Sequence, residues 1–243
     1  MIRFIHISDT HIGPDPAFLL QGVNTFHSFQ SVIQAIQNLP FKPEFIIHTG
    51  DVVADPDPKS YELYAQMVKE VQIPMYYVSG NHDDSQMILS GLQIGERIQL
   101  MQDKLVYSFK VSGNSFLVVD ARGPREIDPH GTISEAQMDV IQSQLTNTHS
   151  LITIFVHFPL LAMDCNWVDK KMLLLEGEKL HALFVEHREQ ILGVFHGHIH
   201  RGTINVQDGI RYQSLEVRRF NLALCLIKKP PHLKIMGKGI LIS

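Results

Sequence analysis

The chain reads as an α/β fold, and three observations predict it. Short apolar runs alternate with longer amphipathic stretches over the first eighty residues, in the order β-α-β-α-β. A hairpin signal and a tail of period-two segments follow, so the sheet content is mixed rather than purely parallel. Bursts of Asp, Asn, Gly and His sit at the ends of the strand-like runs, where an open α/β sheet gathers its ligand-binding groups.

In chain order, "IRFIHIS" is a strand, and Asn24 to Leu39 carries helical spacing through Phe26, Phe29, Val32, Ile33 and Ile36. "EFIIHTG" is a second strand, and "DPKSYELYAQMVKEV" is a helix opened by Asp57 or Pro58. "PMYYVSG" is a third strand, which makes these strands parallel and joined by right-handed crossovers. "LVYSFKVSGNSFLVVDAR" reads as two strands about a Ser-Gly-Asn turn. "ISEAQMDVIQSQL" starts a helix with Ser134 as its cap, and "LITIFVHFP" is a buried strand stopped by Pro159. Lys170 to His187 is read as one helix, and "QILGVFHGHIH" as a strand running into histidines. The tail segments "GTINVQ", "IRYQSLE", "NLALCLIKK" and "HLKIMGKGILIS" alternate apolar and polar residues between Gly and Pro. No repeat, low-complexity tract or linker interrupts the pattern, so residues 1–243 are expected to form one domain.

Bulk numbers narrow the function classes. A formal charge of −4 gives no electrostatic footprint for nucleic acid or an anionic membrane. The longest apolar runs are far too short to span a bilayer, and no cleavable apolar region precedes the first strand, so a cytoplasmic location is expected. Cys165 and Cys225 are too few for a disulfide framework or a zinc knuckle and are read as free thiols. The fourteen histidines, several beside Asp or Gly, direct attention to metal or acid–base chemistry.

Asp9 and His11 follow the first strand, Gly50-Asp51 the second and Gly80-Asn81-His82-Asp83 the third. His157 ends "TIFVHFP", and "HGHIH" (His196, His198, His200) ends a later strand. Each burst alone is an ordinary turn or a core histidine. Five of them, all at strand ends and all drawn from Asp, Asn and His, point instead to a common rim that binds metal. Oxygen and imidazole donors without Cys suit Mn, Fe, Zn or Co. The seven side chains are too many for one ion and suit two, roughly 3.5–4 Å apart, sharing a carboxylate.

The ordered set Asp9-x-His11, Gly50-Asp51, Gly80-Asn81-His82-Asp83, His157 and Gly197-His198-x-His200 resembles the calcineurin-like metallophosphoesterases. Within them it is most similar to the class III cyclic nucleotide phosphodiesterase and glycerophosphodiesterase branch, over residues 1 to about 205. The resemblance implies a four-layer α/β/β/α sandwich of two mixed sheets flanked by helices. It implies one metal on Asp9, His11, Asp51 and His200 and a second on Asp51, Asn81, His157 and His198, with Asp51 bridging. It also implies a small diester substrate, such as a 3′,5′-cyclic nucleotide or a glycerophosphodiester, and a homodimer as the assembly. A hydroxide between two cations is a nucleophile at neutral pH. His82, beside ligand Asn81, would donate a proton to the leaving group or stabilise charge.

Departures matter as well. Ala54 stands where purple acid phosphatases carry a ligand Tyr, and "GDVVADP" lacks the Asp-Arg-Gly of protein phosphatases. His6, His48 and His196 are open between supporting hydrogen bonds and core packing. Asp120, Arg122 and Arg125 are read as a solvated loop with substrate contact as the alternative, and Trp167 and Asp169 as pocket lining or neither. Asp83 is expected to cap the next helix or to orient His82.

Overall fold

The computed structural model describes residues 2–215 and the backbone of 222–227. The elements up to the middle of the chain are β1 (Ile2–Ile7), β2 (Leu19–Leu20), β3 (Val23–Asn24), α1 (Thr25–Gln37), β4 (Phe45–His48), α2 (Pro58–Val68) and β5 (Met75–Tyr77). Then come α3 (Ser85–Gly91), β6 (Ile98–Gln99), β7 (Tyr107–Val111), β8 (Asn114–Val119), a 3-10 turn at Arg125–Ile127, and α4 (Glu135–Asn147). The remainder is β9 (Ile152–Val156), α5 (Asn166–Lys171), α6 (Gly177–Glu186), β10 (Ile191–Phe195), β11 (Ile204–Gln207), β12 (Ile210–Gln213) and β13 (Leu222–Ile227).

Two mixed sheets carry the fold. One has the order β13-β1-β4-β5, the other β11-β12-β10-β9-β8-β7-β6. β1, β4 and β5 run parallel, as do β8, β9, β10 and β12, while β13 closes its sheet antiparallel to β1. The expected crossovers of the first eighty residues are therefore present, and "NLALCLIKK" supplies β13; "HLKIMGKGILIS" lies outside the described residues.

Strand parity explains the layering. Phe4 and Phe45 face the other sheet, where Phe4 meets Phe155 at 5.8 Å and Phe195 at 5.5 Å, and Phe45 meets Phe116 at 4.9 Å. Tyr76 stacks on Phe109 at 3.6 Å. Alternate residues point outward: His48 meets Tyr64 of α2, and Phe29 of α1 stacks on Tyr64. On the second sheet, Leu117, Val119, Ile154 and Val156 pack with Met138, Ile141 and Leu145 of α4 and Leu180 and Phe184 of α6. Helices thus cover both outer faces, which gives the four layers. Because Phe45 joins rings of both sheets, truncation to Ala would cost about 3–5 kcal/mol.

Caps fix the helix starts. Asn24 and Asp57 accept from the first turns of α1 and α2, and Ser134 forms a capping box with Gln137. Two expectations are corrected. The helix expected over Lys170–His187 is two helices, because Leu174 leaves helical pairing to bond Pro159 O and bridge Gly131, and Gly177 packs against the Leu160 backbone where a Cβ would overlap it. The cap of α3 is Asp84, whose carboxylate accepts from Gln86 N and Met87 N at 2.9 Å; Asp83 is employed elsewhere.

Candidate metal centre

The parallel strands of both sheets end at one rim, and the backbone turns sharply there. Asp9, His11, Asp51, His198 and His200 all have φ between 44° and 71°, a region non-glycine residues seldom occupy. Such residues cost of order 1–3 kcal/mol each and persist only where their surroundings over-determine them. Here the turns are held by continuation of strand pairing: Asp9 N bonds Gly50 O, His11 N bonds Asp51 O and Ile12 N bonds Val52 O, at 2.9–3.0 Å. The effect is to aim five polar side chains inward from three loops, two of which the β1/β4 register has already aligned while the third follows β10.

Two groups result. Asp9, His11, Asp51 and His200 bring one donor atom each within 4.8 Å of one another, and Asp51, His157 and His198 do the same. Asp51 belongs to both. Its Oδ1 accepts the His82 backbone N–H at 2.9 Å, leaving Oδ2 to face His11 Nε2 at 3.6 Å and His157 Nε2 at 3.4 Å. His200 Nε2 lies 3.4 Å from Asp9 Oδ1 and 3.3 Å from His11 Nε2, and His157 Nε2 lies 3.1 Å from His198 Nδ1. Asn81 is buried in the loop that wraps Asp51, and its Oδ1 has no hydrogen-bond partner among the described residues.

The glycines of the motif follow from this crowding. A Cβ on Gly80 would fall on Asp51 Oδ1, and one on Gly197 would overlap Ser8 Oγ and crowd Asp9 Oδ2.

Electrostatics show what the cluster wants. Burial disfavours charge on Asp51, yet His157 and His11 hold its carboxyl well below the usual range; Asp9 is held down against burial by His200 and His157. Burial likewise opposes a charge on His157, but Asp51 lifts it to about 9, whereas burial and the neighbouring His157 push His198 down to about 3. Two ionised carboxylates in a dry pocket thus draw positive charge onto His157 and His200, while burial keeps His11 and His198 on the neutral side. Four imidazole nitrogens, two carboxylates and an unpartnered amide oxygen fit a pair of borderline cations, which would meet the same demand. The donor set therefore fits the dinuclear centre that the sequence suggests.

Supporting residues are mostly backbone. His157 Nδ1–H donates to Thr49 O at 2.7 Å, which turns Nε2 toward Asp51. His82 Nδ1–H donates to Ala54 O at 2.7 Å, so the carbonyl of Ala54 does what its side chain cannot. Buried Asp83 accepts from Gly80 N, Val52 N and Val53 N and staples the two loops together. It neither caps α3 nor orients the His82 ring directly. The sequence carried no signal for the two carbonyls, since every residue type has one.

The remaining candidates divide. His6 bonds Thr49 Oγ1, His48 bonds Thr10 Oγ1 and His196 bonds the carbonyl of Gly197, so these are buried histidines hydrogen-bonded to hydroxyls and a carbonyl. Asp120 is wholly buried, accepting from Ser79, Ser85 and Leu105, and is no substrate contact. Asp169 caps the 163–165 loop instead of lining a pocket. Trp167 is 63% exposed on α5, whose Val168 and Met172 pack on Ile199 between His198 and His200. Arg122 donates from Nε to Asp83 O at 2.9 Å.

Known proteins resemble the chain in sequence and in fold. The chain is 29% identical over 192 residues to 3′,5′-cyclic adenosine monophosphate phosphodiesterase CpdA of Escherichia coli K12, with 73% of this chain matched but only 62% of the relative's length. It is 24% identical to a probable glycerophosphodiester phosphodiesterase GpdQ of Arcobacter nitrofigilis, over 81% of this chain and 71% of that one. A dimetal phosphatase from Danio rerio shares the fold at a TM-score of 0.69, with 16% identity over 88% of this chain and 87% of that one. Residues 2–202, which carry all six side chains of the two groups and Asn81, match the family model of the calcineurin-like phosphoesterases, and the chain belongs to that family.

Proposed function

We propose that this chain is a dinuclear-metal phosphodiesterase acting on a small soluble diester, a 3′,5′-cyclic nucleotide or a glycerophosphodiester. The observation that carries the reading is Asp51, whose single oxygen Oδ2 faces donors of both groups. Asp9, His11, Asp51 and His200 would hold one cation, and Asp51, Asn81, His157 and His198 the other. Bound there, the cations would supply activated water and neutralise phosphoryl charge. The names of the CpdA and GpdQ relatives favour a diester.

The protein's own groups do the rest. Backbone N–H and carbonyl contacts fix Asp51 and His157 in advance, so no reorganisation is needed when substrate charge develops. His82 is half-buried beside His11, ring centroids 4.9 Å apart. Its Nδ1–H is committed to Ala54 O, so Nε2 is the atom free to carry a proton to a leaving alkoxide. Water adds to phosphorus, the bond to the leaving oxygen breaks, and that oxygen takes the proton.

The test is a panel on protein reconstituted with Mn, Fe, Zn or Co: cyclic AMP, cyclic GMP, glycerophosphocholine, an aryl diester and an aryl monoester. Turnover of a diester above the monoester supports the reading. Cleavage of the monoester alone would replace it with a phosphatase.

A further inference from the structure

Next to the loop that carries His82, the surface opens into a cleft lined by Asp83, which follows His82 in the chain, and by Ser85, Lys104, Arg122, Arg125 and Thr132. Arg122 is fixed within it. Its backbone N–H bonds Asp120, its carbonyl accepts Lys104 Nζ at 2.9 Å, and its Nε donates to the carbonyl of Asp83, one residue from His82. Its two terminal nitrogens make no hydrogen bond among the described residues, and neither Arg122 nor Lys104 is in an ion pair there. Arg125 pairs with Asp55 at 4.0 Å, with both ends exposed.

The acids of this region are spent or peripheral. Asp83 is committed to backbone N–H groups and Asp84 to the start of α3. Asp103 is exposed at the cleft, and exposed Asp128 makes no ion pair within 4 Å among the described residues but lies within electrostatic reach of Arg122, His82 and Arg125. Two half-buried cations with unfilled donors therefore border a concavity whose lining begins one residue along the chain from His82. A planar guanidinium with free terminal N–H groups suits a bidentate oxyanion.

We propose that Arg122 and Lys104 recognise a second anionic group, a phosphate or a carboxylate, on the leaving alcohol of the diester. This rests on the phosphodiesterase reading and sharpens it. The preferred substrate then has a leaving group with its own negative charge, and hydrolysis yields the phosphomonoester and that anionic alcohol.

The test uses metal-loaded protein and diesters sharing one glycerophosphoryl group, with glycerol, glycerate or glycerol phosphate as the leaving alcohol. Bis(4-nitrophenyl) phosphate serves as the control for chemistry. The expected result is a kcat/KM about tenfold or more higher for a charged alcohol than for glycerol, expressed in KM. Whichever of glycerate and glycerol phosphate gains more identifies the anion. Arg122→Gln and Lys104→Gln should each collapse that ratio, and added salt should shrink it in the wild type. A purely structural Arg122 would slow all diesters alike and leave the ratio intact. A wild-type ratio near one, or a ratio that both variants preserve, overturns the inference while leaving the phosphodiesterase reading standing. Failure to cleave the aryl control overturns that reading and this inference together.

Discussion

The strongest structural test falls on Asp83, a residue that touches neither substrate nor the facing donor atoms. Its Oδ1 accepts from Val52 N at 3.0 Å and Val53 N at 3.3 Å, and its Oδ2 from Gly80 N at 2.9 Å. Truncation to Ala strands three buried N–H groups. At about 1–3 kcal/mol for each unsatisfied group, the loss is about 3–6 kcal/mol after partial relaxation. For a chain of this size that lowers Tm by about 10 °C or more, since each kcal/mol is worth about 2–4 °C. Asp83→Asn should lose less, about 1–3 kcal/mol. One oxygen survives, while the new NH2 faces either Gly80 N or the Val52–Val53 pair. Burial and the charge of Asp51 already push the Asp83 carboxyl up to about 6, so the neutral amide escapes part of an ionisation penalty. The assay is thermal unfolding with and without added metal, alongside metal content by elemental analysis. Because the staple joins the Asp51 loop to the Asn81 loop, both variants should also bind less metal. An Asp83→Ala protein with wild-type Tm and full metal content would refute the argument that this carboxylate holds the loops in register.

Other consequences are simpler to read. Asp51→Asn or His198→Ala should abolish hydrolysis of an aryl phosphodiester, measured by release of the phenol, and Asp51→Asn should lower metal content the more, because its oxygen faces both groups. His82→Ala should keep its metal, yet slow alkyl diesters by about 10²-fold or more while sparing activated aryl esters; equal losses on both would remove the proton-donor role. Gly80→Ala should fold but lose metal affinity, because its Cβ displaces Asp51 Oδ1, and calorimetric titration with Mn or Zn reads the change.

Much of this was legible in the chain. The bursts at Asp9, Asp51, Asn81, His157 and His198 could be placed together because parallel strands deliver their carboxyl ends to one rim. The two-sheet layering was not legible from periodicity. β4, β5 and β9 are buried on both faces, so "FIIH", "MYY" and "ITIFV" show no alternation to say which residues meet the opposite sheet. Asp83 and Asp84 are adjacent carboxylates before one helix, and only the approach of Val52 and Val53 from elsewhere in the chain separates staple from cap. The break in the Lys170–His187 helix depends on Leu174 meeting Gly131 and Pro159, contacts that no local propensity encodes.

The direction of substrate approach follows from how exposure is distributed around Asp51. The side chains of Asp51 and His157 are 3% and 0% exposed, so nothing can reach the centre through the second sheet. His200 is 47% exposed and His82 is half-buried, and these two flank His11. A phosphoryl group must therefore enter over the His200–His11–His82 edge. In-line displacement places the leaving oxygen opposite the attacking one. Under the proposed mechanism, attack from the side of the buried Asp51 would send the leaving oxygen outward, toward the loop of His82 and Asp83 and the concavity that Arg122 borders. The same loop that wraps Asp51 thus carries His82, which would donate the proton, and, through the carbonyl of Asp83, the guanidinium that would select the alcohol. A change at Arg122 should be felt in substrate choice before it is felt in metal binding.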